Sequence, residues 1–204
     1  MPRYVDPEQR KNDIIDATFE AIAEGGFPQL TVRSLAKRLG GSSTLVTHYF
    51  PNRDALLSAM TDRVLSDAES KSAELLEIAD PHDRLHAVLE WFLPNTPESL
   101  MVERVRVVLV AHIATEPVVA DMSARMEPGM RGLMRQALAE FVDPAELEGM
   151  VDLLRAWTSG VVLSAVEHPD LWTPERQAAA LDRFLSSFEL PLSRSAAGAP
   201  AVNR

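Results

Sequence analysis

Cysteine is absent from this 204-residue chain, which removes disulfides, thiolate nucleophiles and thiolate metal ligands and fits a reducing compartment. Alternating β patterns are scarce as well, so a sheet is not expected, and no internal repeat is evident. The opening MPRYVDPEQRKND lacks the apolar stretch of a secretion signal. No segment reaches the roughly 18 uncharged apolar residues of a membrane span. The expectation is a soluble cytoplasmic protein that does not enter membranes. One local absence is more telling. The net charge is −10, which for the chain as a whole argues against a polyanionic partner. Yet residues 31–53 contain Arg33, Lys37, Arg38 and Arg53 and no acid at all. Residues 1–57 are neutral overall, and the net negative charge lies entirely beyond them. One segment can therefore present a positive field while the acidic body stays clear of the partner.

What is present is helical periodicity. With 46% hydrophobic and 25% charged residues, apolar side chains recur at i, i+3 and i+4 along most of the chain, which predicts an all-α protein. A first helix is expected over residues 7–24, stopped by Gly25-Gly26. Thr31 can cap a second, which Gly40 ends. Ser42 can cap a third, closed after two turns because Pro51 disfavours helical geometry at Phe50. Asn52 then caps a long helix running toward Asp80-Pro81. Further helices are expected over residues 82–93, 98–115, 118–141, 144–167 and 174–189, separated by prolines.

The second and third helices, joined by a tight glycine turn, have the spacing of a helix-turn-helix. Ala36 is small where the helices meet, and Leu35, Leu39, Val46 and Tyr49 or Phe50 can form the core between them. With Val46 pointing inward, 100° per residue turns Ser43, Thr44, Thr47 and His48 outward, with Leu45 and Tyr49 on the flanks. Short donors, acceptors and a methyl-contacting leucine suit the edges displayed in a DNA major groove. Thr31, Tyr49 and Arg53 are placed to meet phosphates, Arg33 a guanine edge or a phosphate, and Lys37 and Ser42 complete the candidate DNA surface.

"AIAEGGF", "LTVRSLAKRLG", "STLVTHYF" and "PNRDALL" follow one another in the order and spacing of the DNA-binding domain of the tetracycline-repressor (TetR) family, which residues 8–57 resemble. The resemblance implies a homodimer whose paired recognition helices read a palindromic double-stranded operator. It also implies a C-terminal helical domain that binds a small effector and changes the spacing of the heads, as repressor or activator. By position, Thr31, Tyr49 and Arg53 match phosphate contacts, and Arg33, Ser43, Thr44, Thr47 and His48 match positions that approach bases. Gly41 departs from a usual branched apolar residue, Thr47 from a frequent tyrosine and Arg53 from the usual lysine. The expected architecture is a helix-turn-helix domain over residues 1–57, a helical effector-binding and dimerisation domain over 58–192, and a flexible tail over 193–204.

In the second domain the helix expected at 144–167 is apolar on nearly every side from Leu153 to Val166, so a partner subunit is the simplest cover. Leu154, Thr158, Val161, Val162 and Ala165, with Leu181, Phe184, Leu185 and Phe188 of the last helix, are the candidate dimer interface; a purely intramolecular core is the alternative. Candidate walls of a largely apolar effector site are Met101, Val105, Val108 and His112 on one helix face, Met122, Met126 and Met130 beside Pro128, and Trp91, Phe92 and Trp157. Four-residue spacing drifts by about 40° per step, so Met122, Met126, Met130 and Met134 cannot share one wall.

Other chemistry is outweighed. Ser34 and Lys37 fit the S-x-x-K pattern of serine acyl enzymes but lack its companion motifs. His82, His86 and Glu90 share a helix face without a fourth metal ligand, and Asp16, Glu20 and Glu24 read as a solvated row. An interaction module that binds only protein is a third possibility. No enzyme activity, metal or cofactor is expected.

Overall fold

A computed structural model describes residues 6–188; the expected tail at 193–204 lies outside them. Among the described residues the chain forms nine α-helices and a short 3-10 turn at Phe27–Gln29, with no strand. The helices are α1 (Pro7–Gly25), α2 (Val32–Arg38), α3 (Ser43–Tyr49), α4 (Arg53–Leu76), α5 (Pro81–Trp91), α6 (Pro97–Val110), α7 (Pro117–Leu138), α8 (Leu147–Glu167) and α9 (Pro174–Ser186).

Local chemistry sets most of these boundaries. Asp6, Thr31, Ser42, Asn52, Asp80, Thr96 and Thr173 each cap a helix by accepting a backbone N–H from its first turn, which satisfies donors that have no partner within the helix. Proline occupies the first turn of α1, α5, α6, α7 and α9, where its missing N–H costs nothing. Helices α5 to α9 are each shorter than their periodicity suggests, α6 by the most. α6 ends at Val110, and residues 111–116 form a turn held by His112 N–H to Leu109 O (2.8 Å) and Glu116 N–H to His112 O (2.9 Å). α8 starts at Leu147 because Asp143 accepts the Ala145 N–H (2.8 Å) and shapes a turn there. α7 runs on through Pro128, whose ring nitrogen has no hydrogen to offer the carbonyl one turn back.

Two hydrophobic clusters hold the molecule together. The first joins α1–α3 and the start of α4 to Val105 and Leu109 of α6 and Val119 of α7. The second joins α5, the end of α7, α8 and α9. The boundary expected at residue 57 therefore falls inside a shared core, so α6 and α7 press directly on the N-terminal head.

The acid row on α1 is not simply solvated. Glu20 and Glu24 bind Arg38 of α2 (3.2 and 2.5 Å), and Asp16 binds Arg63 of α4 (2.7 Å). These pairs tie α1 to its neighbours. The Arg38 guanidinium holds the Glu24 carboxyl below its ordinary range, chiefly by hydrogen bonding.

Candidate nucleic-acid interface and effector cavity

The turn between α2 and α3 is a Schellman stop. Gly40 takes φ +62°, a left-handed conformation that a Cβ disfavours. Gly40 N–H then reaches Lys37 O (3.2 Å) and Gly41 N–H reaches Ala36 O (2.9 Å). A Cβ on Gly41 would lie 2.8 Å from the Leu45 Cδ2, so glycine lets the turn close against α3. Leu35, Ala36, Val46 and Phe50 are buried, with Leu39 and Tyr49 packed beside them. The intervening core is the one expected from sequence.

With Val46 fully buried, the opposite side of α3 faces out. Ser43, Thr44, Thr47 and His48 are exposed, while Leu45 and Tyr49 are half-buried on the flanks. The ridge stays available for outside contact, although some of its groups also serve the helix. Ser42 Oγ accepts the Leu45 N–H. Thr47 Oγ1 donates to Ser43 O (3.2 Å), and His48 meets Tyr49 edge-on at 5.0 Å. Ser34 is spent on capping: its hydroxyl donates to Gln29 O (2.6 Å) and accepts the Thr31 N–H (3.2 Å). That use leaves the acyl-enzyme reading of Ser34 and Lys37 without a free nucleophile.

The four cations of residues 31–53 divide in two. Arg33 and Lys37 are exposed and make no ion pair among the described residues, so both can meet phosphate. Arg38 is held by α1. Arg53 is held by Glu116 at the start of α7 (2.5 Å), with its guanidinium over the Phe27 ring at 4.5 Å. The expected phosphate contact is thus engaged within the molecule, by a carboxylate that sequence reasoning did not single out.

Between α4, α6 and α7, closed at one end by Trp91 and Phe92, lies a cavity of about 1120 Å³. Trp91, Phe92, Val105, Met122, Met126 and Met130 line it as expected candidates. Met134 is fully buried in the second core, where the drift of four-residue spacing carries it. The α4 wall, with Met60, Val64, Leu65 and Leu76, escaped the sequence reading; its apolar positions there were visible only as part of a linking helix. Several charged groups also line it: Glu103 binds Arg106 within α6, Arg125 reaches Asp62 (2.6 Å) and Lys71 binds Glu74 (2.7 Å), with Asp67 and Glu69 beside them.

Four candidate effector residues lie elsewhere. His112 stacks on Phe27 of the head at 4.6 Å, Val108 packs in the first core, and Trp157 stacks on Phe184 at 4.2 Å. Met101 is half-buried and away from the cavity lining. The candidate dimer residues also separate. Leu154, Thr158, Val161, Val162, Ala165 and Leu181 are buried within the protomer, while Phe184, Leu185 and Phe188 are half-buried. The outward face of α8 instead carries Leu153, Ala156, Gly160 and Leu163. Among the described residues no group of three His, Asp or Glu is placed to hold a metal; His86 binds Asp182 at 3.0 Å and His82 meets Phe141 edge-on.

Comparison with known proteins agrees with this geometry. Residues 14–60 match the family "Bacterial regulatory proteins, tetR family", and residues 81–188 match "BetI-type transcriptional repressor, C-terminal". The HTH-type transcriptional regulator BetI of Burkholderia cenocepacia (strain HI2424) is 38% identical over 101 residues, 48% of this chain and 52% of that protein. The chain thus spans about half the length of the curated relatives it matches. A transcriptional regulator from Rhodococcus sp. Rha1 superposes with a TM-score of 0.77 at 26% identity, covering 87% of this chain and 94% of that one. One from Saccharomonospora viridis, solved in complex with choline, gives 0.78 at 17% identity over 88% and 96% of the two chains. With helix-turn-helix and C-terminal domain both matched, the chain belongs to the TetR family of bacterial regulatory proteins, with a C-terminal domain of the BetI type.

Proposed function

We propose that this protein is a DNA-binding transcriptional repressor that acts as a homodimer on a palindromic operator and leaves it when a small, largely apolar effector fills the cavity between α4, α6 and α7. The observation that carries the reading is the exposed hydroxyl and imidazole ridge of α3, set on a rigid turn and flanked by the free cations Arg33 and Lys37. Such a ridge has little purpose in a solvated bundle and matches the edges of a major groove. A duplex partner places the protein in the cytoplasm. The BetI-type family favours repression over activation.

Two observations favour an apolar effector. The cavity walls are mainly methionine, leucine, valine and aromatic side chains, and of the charged groups among them Glu103 is held by Arg106 and Arg125 by Asp62. A small cation such as choline, bound by the Saccharomonospora protein, would leave much of the 1120 Å³ empty. A larger uncharged guest displaces poorly held water and meets adaptable thioethers.

α8 supports the dimer. By length and composition it is apolar enough to cross a membrane, yet only 33% of that stretch is buried within the protomer. A second copy would cover its exposed apolar stripe, Leu153, Ala156, Gly160 and Leu163.

The test is selection of bound sequences from random duplexes with the full chain, repeated with Thr47→Ala and Lys37→Ala. Thr47→Ala should alter the preferred sequence. Lys37→Ala should weaken all sequences alike and reduce the salt slope by about one. Failure to retain duplex DNA at low salt would remove the reading.

A further inference from the structure

Arg53 and Arg38 are both neutralised by acids from outside the acid-free segment, but the two acids differ in kind. Glu20 and Glu24 sit on α1, which shares the first core with α2. Glu116 comes from 63 residues away. It ends the 111–116 turn that joins α6 to α7, two helices that wall the cavity. Val105 and Leu109 face the cavity one or two turns before that turn, and Met122 faces it soon after. The turn also reaches the head a second time, through His112 on Phe27, and Phe27 is the ring beneath the Arg53 guanidinium.

Arg53 itself stands at the edge of the reading surface. It opens α4 directly after the Asn52 cap, three residues beyond the buried Phe50 that closes α3. Its side chain is 38% exposed, so a phosphate can approach it while Glu116 holds it. A guanidinium has donors for two acceptors, but a phosphate brought there meets the Glu116 carboxylate as a like charge.

We propose that Glu116 is a positioning residue for Arg53: its carboxylate competes with a DNA phosphate for this guanidinium, and through the 111–116 turn the cavity helices set which of the two holds it. Bound to Glu116, Arg53 adds no net charge to the reading surface. Released, it displaces one more counterion from the duplex. An effector that fixes α6 and α7 in the arrangement seen here favours the closed pair and weakens DNA binding. This last link rests on the effector reading above; the measurements below use no effector and decide the exchange independently.

The experiment measures affinity of the full chain for a random-sequence duplex across a salt series, for the parent, Glu116→Gln, Arg53→Ala and the double variant. Glu116 makes no side-chain cap to α7, so the glutamine variant keeps the helix start, which a thermal melt verifies. Glu116→Gln should bind about three- to tenfold more tightly at low salt, with a slope steeper by about one. Arg53→Ala should bind more weakly with a shallower slope, and the double variant should match Arg53→Ala. An unchanged slope in Glu116→Gln overturns the proposal. So does an equal gain from Glu116→Gln in the Arg53→Ala background, because the carboxylate would then act on DNA through space and not through Arg53.

Discussion

Gly40 and Gly41 are adjacent, yet substitution at each should be felt in a different place. At Gly40, φ is +62° and nothing lies within 4 Å of an added Cβ, so alanine meets backbone strain alone. Gly40→Ala should cost about 1 kcal/mol in a urea unfolding series while leaving the preferred DNA sequence unchanged. At Gly41 the backbone is ordinary and the added Cβ meets the far end of Leu45 at 2.8 Å. Gly41→Ala should change unfolding free energy by less than about 0.5 kcal/mol but shift base preference, because Leu45 flanks the ridge; an unchanged preference in selection would show that Leu45 does not read DNA. At this scale the α3 ridge was legible in sequence. One inward residue, Val46, fixes the direction of six others on a seven-residue helix. The fates of Arg53, His112 and Trp157 were not, since each is set by a side chain distant in sequence: Glu116, Phe27 and Phe184 respectively.

Between helices, capping residues made most boundaries readable, whereas α8 kept its orientation hidden. A helix apolar on nearly every side offers no preferred inward direction, so its buried and exposed apolar faces could not be told apart until α6 and α7 were in place. Ion pairs add to the apolar contacts that hold α7 against α8. Arg131 binds Glu148 and Asp152 (3.1 and 2.7 Å), Arg135 binds Glu148 (2.5 Å), and Arg155 of α8 binds Glu127 of α7 (2.9 Å). Hydrogen bonds from Arg135 and then Arg131 lower the Glu148 pKa to about 2. A carboxyl with a folded pKa below its unfolded value, 4.5 for Glu148, stabilises the fold above that value. The contribution is lost as pH falls through the folded one. Glu148→Gln should therefore lower the melting temperature at pH 7, and the gap to the parent should narrow between about pH 4.5 and pH 2. A gap that stays constant across that range would mean that the carboxylate charge adds nothing to the α7–α8 contact.

For the whole molecule the decisive surface is the outer side of α8. Leu153, Ala156, Gly160 and Leu163 recur at three- and four-residue steps, the spacing of a seam between two helices. Leu153 and Leu163 are each 45% exposed, and Gly160 has nothing within 4 Å of an added Cβ, so the middle of the seam is open to close approach by another backbone. The acidic excess beyond residue 57 does not oppose such pairing, because this stripe carries no charge between Leu153 and Leu163. The proposed palindromic operator would need two reading heads joined by such a seam, with recognition helices roughly 34 Å apart. Leu163→Glu should give a folded monomer by sedimentation, with parental helicity and with affinity for the palindrome reduced toward that for a half-site. Val162→Glu, one residue away but buried at 3% exposure, should unfold the chain instead, since its charge would enter the core without a partner. A Leu163→Glu variant that stays dimeric would place the interface elsewhere, and a Val162→Glu variant that dissociates while remaining folded would show that the inner face, not the outer, is the one a second subunit covers.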